Sequence, residues 1–172
     1  MPKANAIRVL VVEDNSLVRE ELCRLLKSYP NIDVVGQAGD GEEAMAMVET
    51  LHPTVVVMDI NLPKLDGIAA TRQIKTRYPE IIVIGITFVP EEYVVYAMVK
   101  AGAYEVVTKD KAATDLYSTL QKAVASVHPI LIEEETKPLP KTASAPLDES
   151  SVLPNTDVLL AGGDQSDPEP TS

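Results

Sequence analysis

The run Val55-Val56-Val57-Met58 is apolar without interruption and stops at one carboxylate, Asp59, followed by Ile60-Asn61-Leu62-Pro63. β-Branched residues with no polar alternation suit a strand covered on both faces, as in a parallel sheet, and Pro63 keeps the ladder from continuing. A chain built on such a strand must supply helices for both of its faces. Asp59 is thereby delivered to the carboxyl edge of the sheet, where open α/β folds bind their ligands. Taken alone, a carboxylate there also suits a helix N-cap or a plain loop.

The flanking sequence supplies the helices. Ile7 to Val12 reads as a strand, stopped by Glu13-Asp14-Asn15-Ser16, whose last two members can cap a helix over Leu17 to Ser28. That helix carries the stripe Val18, Leu22, Leu25 and Leu26 and ends at Tyr29-Pro30. A short strand, Val34 to Ala38, precedes Asp40-Gly41-Glu42-Glu43, which resembles a capping box for a helix striped by Ala44, Met47, Val48 and Leu51. Leu65-Asp66-Gly67 turns into a third helix, with Ile68 and Ile74 inward, Arg72, Lys75 and Arg77 outward, and Tyr78-Pro79 as its stop. Ile81 to Thr87 is a fourth strand, and Pro90-Glu91-Glu92 opens a fourth helix that ends at Ala101-Gly102. Tyr104 to Thr108 is a short fifth strand, Lys109-Asp110 a turn, and Ala112 to Val127 a fifth helix. Five strands alternating with five helices predict an α/β fold: a doubly wound, five-stranded parallel sheet in the flavodoxin-like order 2-1-3-4-5.

The 172 residues divide unequally. Residues 1–128 hold this alternation, whereas residues 129–172 contain seven of the thirteen prolines and nine acidic residues against two lysines. That composition predicts a disordered, acidic, Pro-rich tail carrying most of the formal charge of -11. A chain so acidic lacks the clustered Lys and Arg of a nucleic-acid surface, so direct nucleic-acid binding is not expected. With no folded domain foreseen after Val127, the expected output is a contact with a protein. Cys23 is the only cysteine, which excludes an intrachain disulfide, and no apolar run approaches the roughly 18 residues of a membrane span. A cytoplasmic location is the expectation.

In a parallel sheet all strands point one way, so the residues just after strands one, three, four and five gather on one rim. They are Glu13, Asp14, Asp59, Thr87 and Lys109. Crowded carboxylates repel unless they share a proton or bind a hard cation through oxygen. Mg²⁺ suits the set, because it takes few protein carboxylates and leaves positions for water and phosphate oxygens. Asp59 is then equipped to accept a phosphoryl group, with Lys109 and the Thr87 hydroxyl neutralising and hydrogen-bonding the incoming oxygens.

These residues, in this order, resemble the receiver domain of two-component response regulators. The likeness covers about Ile7 to Val127 and rests on Val11-Val12-Glu13-Asp14-Asn15, Met58-Asp59-Ile60-Asn61-Leu62-Pro63, Leu65-Asp66-Gly67, Thr87, Ala101-Gly102-Ala103 and Thr108-Lys109-Asp110. The resemblance implies that Asp59 is the phosphoacceptor. It also implies that Asp14, Asp59 and the Asn61 backbone carbonyl bind Mg²⁺ with Glu13 helping through water, and that Thr87 is the switch hydroxyl and Lys109 the phosphate partner. It further implies a histidine kinase or phosphotransfer protein as donor, and a signalling role in place of enzyme turnover beyond self-phosphorylation and self-dephosphorylation. A downstream protein would be contacted through the helix-four to helix-five face, with a homodimer as a further candidate assembly.

Two positions depart from the family pattern. Glu13 stands where aspartate is frequent, and Val106 stands where an aromatic switch residue is common; Tyr104 is a candidate substitute on the same strand face. Tyr93 and Tyr96, spaced i, i+3 on helix four, suit either a partner patch or half-buried packing. Three rivals compete. An aspartyl-nucleophile phosphohydrolase of the haloacid-dehalogenase type wants a second aspartate two residues on, where this chain has Asn61. A nucleotide or flavin binder wants a Gly- or Ser-rich loop where Glu13-Asp14 stand. A pseudo-receiver would keep the fold as a docking module without phosphotransfer.

Overall fold

The structure, a computed structural model, describes residues 5–128. The tail predicted over residues 129–172 lies outside them. The elements follow in strict alternation: β1 (Ile7–Val12), α1 (Ser16–Lys27), β2 (Ile32–Ala38), α2 (Gly41–Leu51), β3 (Val55–Asp59), α3 (Gly67–Arg77), β4 (Ile82–Thr87), α4 (Glu92–Lys100), β5 (Glu105–Thr108) and α5 (Ala112–Val127), with one 3₁₀ turn over Lys109–Lys111 before α5. The five strands form one parallel sheet in the order β2-β1-β3-β4-β5. This is the expected doubly wound order.

Alternation along each strand feeds two separate cores. Val9, Val11, Val55, Val57, Ile84 and Ile86 face α1 and α5, where Leu22, Leu26, Leu116 and Leu120 cover them. Leu10, Val12, Val56, Met58 and Val83 face α2, α3 and α4, meeting Ala44, Val48, Ala70, Ile74 and Met98. Every residue of β3 and β4 is buried. Both lie inside the sheet, as β1 does, with helices over both faces and a strand on either side, which explains their lack of polar alternation.

Several boundaries differ from the sequence expectation. β2 starts at Ile32, two residues early, because Ile7 pairs with Ile32 from the outset. β5 starts at Glu105; the β4–β5 register begins at Ile84 and Glu105, so Tyr104 lies before the strand. Tyr104 is therefore not a strand neighbour of Val106, and it is 42% exposed. Helix α4 begins at Glu92, after a cap residue Glu91 that makes no side-chain capping bond. Lys75, expected to point outward, bends back so that its ammonium donates to the carbonyls of Pro79 and Ile81.

Candidate functional site

The parallel register sets the rim. Val12 pairs with Met58, Asp59 with Ile86 and Thr87 with Thr108. Glu13, Asp59, Thr87 and Lys109 therefore end or immediately follow four neighbouring strands at one level. The turns that receive the chain there keep the side chains facing the rim. Asn15 caps α1, its Oδ1 accepting from the N–H groups of Leu17 and Val18 at 3.0 and 3.2 Å, so neither Glu13 nor Asp14 is used as a helix cap. Arg19 reaches back to donate to the Glu13 carbonyl at 2.6 Å. Past β3, the Gly67 N–H donates to the Ile60 carbonyl. A Cβ on Gly67 would lie 2.0 Å from the Asp59 carbonyl oxygen, so only glycine lets α3 begin this close to the strand end.

The carboxylates come together as the sequence predicts. Glu13, Asp14 and Asp59 each offer an oxygen, all within 4.8 Å of one another. Glu13 and Asp59 are 1% and 2% exposed, and Asp14 stands open to solvent. One ammonium bridges the buried pair: Lys109 Nζ lies 2.6 Å from Glu13 Oε2 and 3.2 Å from Asp59 Oδ2. The other oxygens accept backbone N–H bonds, Glu13 Oε1 from Asn15 at 3.2 Å and Asp59 Oδ1 from Asn61 at 3.3 Å. Burial pushes the Asp59 carboxyl above its ordinary range, against the pull of Lys109 and the Asn61 N–H, with Asp14 adding to the rise. Burial likewise raises Glu13, the Asp59 charge adds to it, and Lys109 opposes it.

Three carboxylates against one ammonium leave two negative charges in this group, with oxygen donors throughout. That donor set and that excess match a hard divalent cation. Thr87 closes β4, buried at 1% exposure, its hydroxyl donating to the Val89 carbonyl at 3.2 Å and accepting from the Val89 N–H at 3.3 Å. The hydroxyl is thus committed to its own loop.

Two further contacts were not foreseen. The chain's only phenylalanine, Phe88, places its ring 4.7 Å from the Lys109 ammonium. Its position directly after Thr87 was the one available signal. Lys64, at a left-handed φ of 62°, pairs with Asp40 at 2.6 Å and ties the loop after β3 to the cap of α2.

A rim of this kind, at the carboxyl edge of a 2-1-3-4-5 sheet, defines a receiver. The response regulator receiver domain family matches residues 9–121, and the chain belongs to that family, whose members serve two-component systems. Among its relatives, the transcriptional regulatory protein DegU of Brevibacillus brevis is 34% identical over 128 residues, covering 73% of this chain and 54% of that one. A protein-glutamate methylesterase/protein-glutamine glutaminase of Methanospirillum hungatei is 43% identical over 63% of this chain and 32% of its own length. The crystal structure of the response regulator domain of Thermotoga maritima CheB superposes with a TM-score of 0.65 at 32% identity, covering 69% of this chain and 96% of that domain. The chain thus spans about half or less of the length of these curated relatives, which differ from one another in what accompanies the shared receiver.

Proposed function

We propose that this receiver is a phosphorylation switch in which Asp59 takes a phosphoryl group from the phosphohistidine of a histidine kinase or phosphotransfer protein. The observation that carries the reading is the Lys109 ammonium bridging Glu13 and Asp59 beside three clustered carboxylates. In the transfer an Asp59 oxygen forms a bond to phosphorus as the phosphorus–nitrogen bond breaks, and the histidine leaves with that electron pair. Asp59 attacks as the carboxylate, which Lys109 and the Asn61 N–H favour against the effect of burial. Glu13, Asp14, Asp59 and the Asn61 carbonyl are the residues that would hold Mg²⁺; bound there, the cation offsets the charge of the carboxylates and of the phosphoryl oxygens.

Lys109 then pairs with a phosphoryl oxygen. The Thr87 hydroxyl leaves the Val89 carbonyl and donates to another, drawing the loop between β4 and α4 toward the rim. Helix α4 is suited to respond, since it buries only Met98 and has no side-chain cap. Its outer face carries Tyr93, Tyr96 and Val99 at 71%, 64% and 45% exposure, so the two tyrosines are available to a partner and are not packed. A downstream protein, or a second copy of the chain, is the partner we assign to the α4–β5–α5 face.

The test is transfer from a phosphorylated histidine-phosphotransfer domain. Label should pass to the wild-type chain in the presence of Mg²⁺ and not to Asp59→Asn. Label retained by Asp59→Asn would reject the assignment. A docking module without phosphotransfer is the second reading, and no transfer from any donor, together with unchanged partner binding in Asp59→Asn, would favour it.

A further inference from the structure

We infer that Phe88 is a positioning residue for Lys109, its ring covering the ammonium so that the amine stays on the rim where it meets the phosphoryl group. The inference rests on the reading of Asp59 as phosphoacceptor. Three observations carry it. The ring is 62% exposed, so it is not held there by core packing, yet its centroid lies 4.7 Å from Lys109 Nζ. The Lys109 side chain is only 6% exposed although it borders an open cavity of about 320 Å³ whose lining includes Val18, Glu21, Leu22, Phe88, Asp110 and Ala112. The two hydrogen bonds between Thr87 and Val89 bracket Phe88 and fix the backbone that carries the ring.

An aromatic face attracts an ammonium without offering it a charge. It therefore steadies Lys109 on the cavity side while leaving its hydrogens to Glu13, Asp59 and an incoming phosphoryl oxygen. When the Thr87 hydroxyl turns its hydrogen toward the phosphoryl group, its oxygen still accepts from the Val89 N–H, so the loop that carries the ring keeps one of its two bonds. Loss of the group by hydrolysis needs a water oxygen to bond to phosphorus as the bond from phosphorus to the Asp59 oxygen breaks, giving inorganic phosphate and the free carboxylate. Removing the ring opens the amine to solvent and frees it to wander from that bond.

The experiment compares the wild-type chain with Phe88→Ala, Phe88→Leu and Phe88→Tyr. Each is phosphorylated with a small acyl phosphodonor and Mg²⁺, freed of donor, and followed as the phosphate is lost. Ala and Leu should shorten the lifetime about fivefold, the size of one partly exposed cation–π contact, and Tyr should restore it. In parallel, the Lys109 side-chain resonances should be shifted upfield by the ring in wild type and in Phe88→Tyr, and should return to ordinary positions in Phe88→Leu. Equal lifetimes across the four proteins, or a Leu variant as long-lived as wild type, would overturn the role of Phe88 while leaving Asp59 as acceptor. Absence of a ring shift in wild type would overturn it independently of any phosphorylation. A wild-type chain that takes no phosphate would reject both proposals together.

Discussion

Lys109 is the counterweight on which the rim depends. With it, the buried Glu13 and Asp59 share one ammonium; without it, two carboxylates remain uncompensated out of water. Lys109→Met should therefore lower unfolding stability by about 3 kcal/mol in chemical denaturation without divalent cation. Asp59→Asn does the reverse, leaving a balanced Glu13–Lys109 pair, and should raise stability by about 1 kcal/mol at neutral pH. The sign of the pH dependence follows from the raised carboxyls, which bind protons more readily in the folded chain than in the unfolded one. Their favourable contribution is complete below the ordinary carboxylate pKa of about 4 and fades as pH rises through the raised values. The stability gap between Asp59→Asn and wild type should thus widen with rising pH, and added Mg²⁺ should close it. These side chains were legible in the sequence because strand ends in a parallel sheet have fixed addresses. Phe88 was not, since a ring on a loop finds its ammonium only once the loop's course is known.

Elements lock this rim through close approaches. A Cβ on Gly41 would stand 2.1 Å from the Leu65 carbonyl oxygen, and one on Gly67 would stand 2.0 Å from that of Asp59. Neither neighbour is a flexible side chain, so Gly67→Ala should cost about 2–3 kcal/mol in thermal or denaturant unfolding and move the Asp59 strand end. A stable Gly67→Ala with unaltered Asp59 and Asn61 amide resonances would contradict that. The existence and order of all ten main elements could be read from apolar runs and Pro or Gly stops. The edges of β1 and α5 could be read too, but those of β2 and β5 could not, because the first residue of a strand is chosen by its partner: Ile32 joins β2 opposite Ile7, and Glu105 opens β5 opposite Ile84. The capping box over Asp40 to Glu43 was likewise legible, but the Glu43 carboxylate takes the Gly39 N–H, one residue before the cap.

At the scale of the molecule, two apolar cores clamp one sheet, and the sheet presents its acidic rim at one end and the tyrosines of α4 to the side. Among the described residues no helix is long and apolar enough to cross a membrane. Val106, which packs with Met98 over Gly85, supplies no ring to couple Thr87 to the α4 face. The exposed ring nearest the Thr87 hydroxyl in sequence is instead Phe88. If α4 is the responding element, Tyr93→Ala and Tyr96→Ala should weaken binding of the phosphorylated chain to its partner several-fold in titration calorimetry, leaving phosphate uptake unchanged. The residues beyond 128 belong to the same question, since they hold seven of the eleven excess negative charges.

Intact-mass spectrometry of the purified chain, incubated with a small acyl phosphodonor, probes the switch at its root. One phosphate should be gained with Mg²⁺, little or none after chelation, and none by Asp59→Asn under either condition. A phosphate that arrives equally without divalent cation, or that survives the Asp59 substitution, would contradict the assignment of the acidic rim as a cation-assisted phosphoryl acceptor.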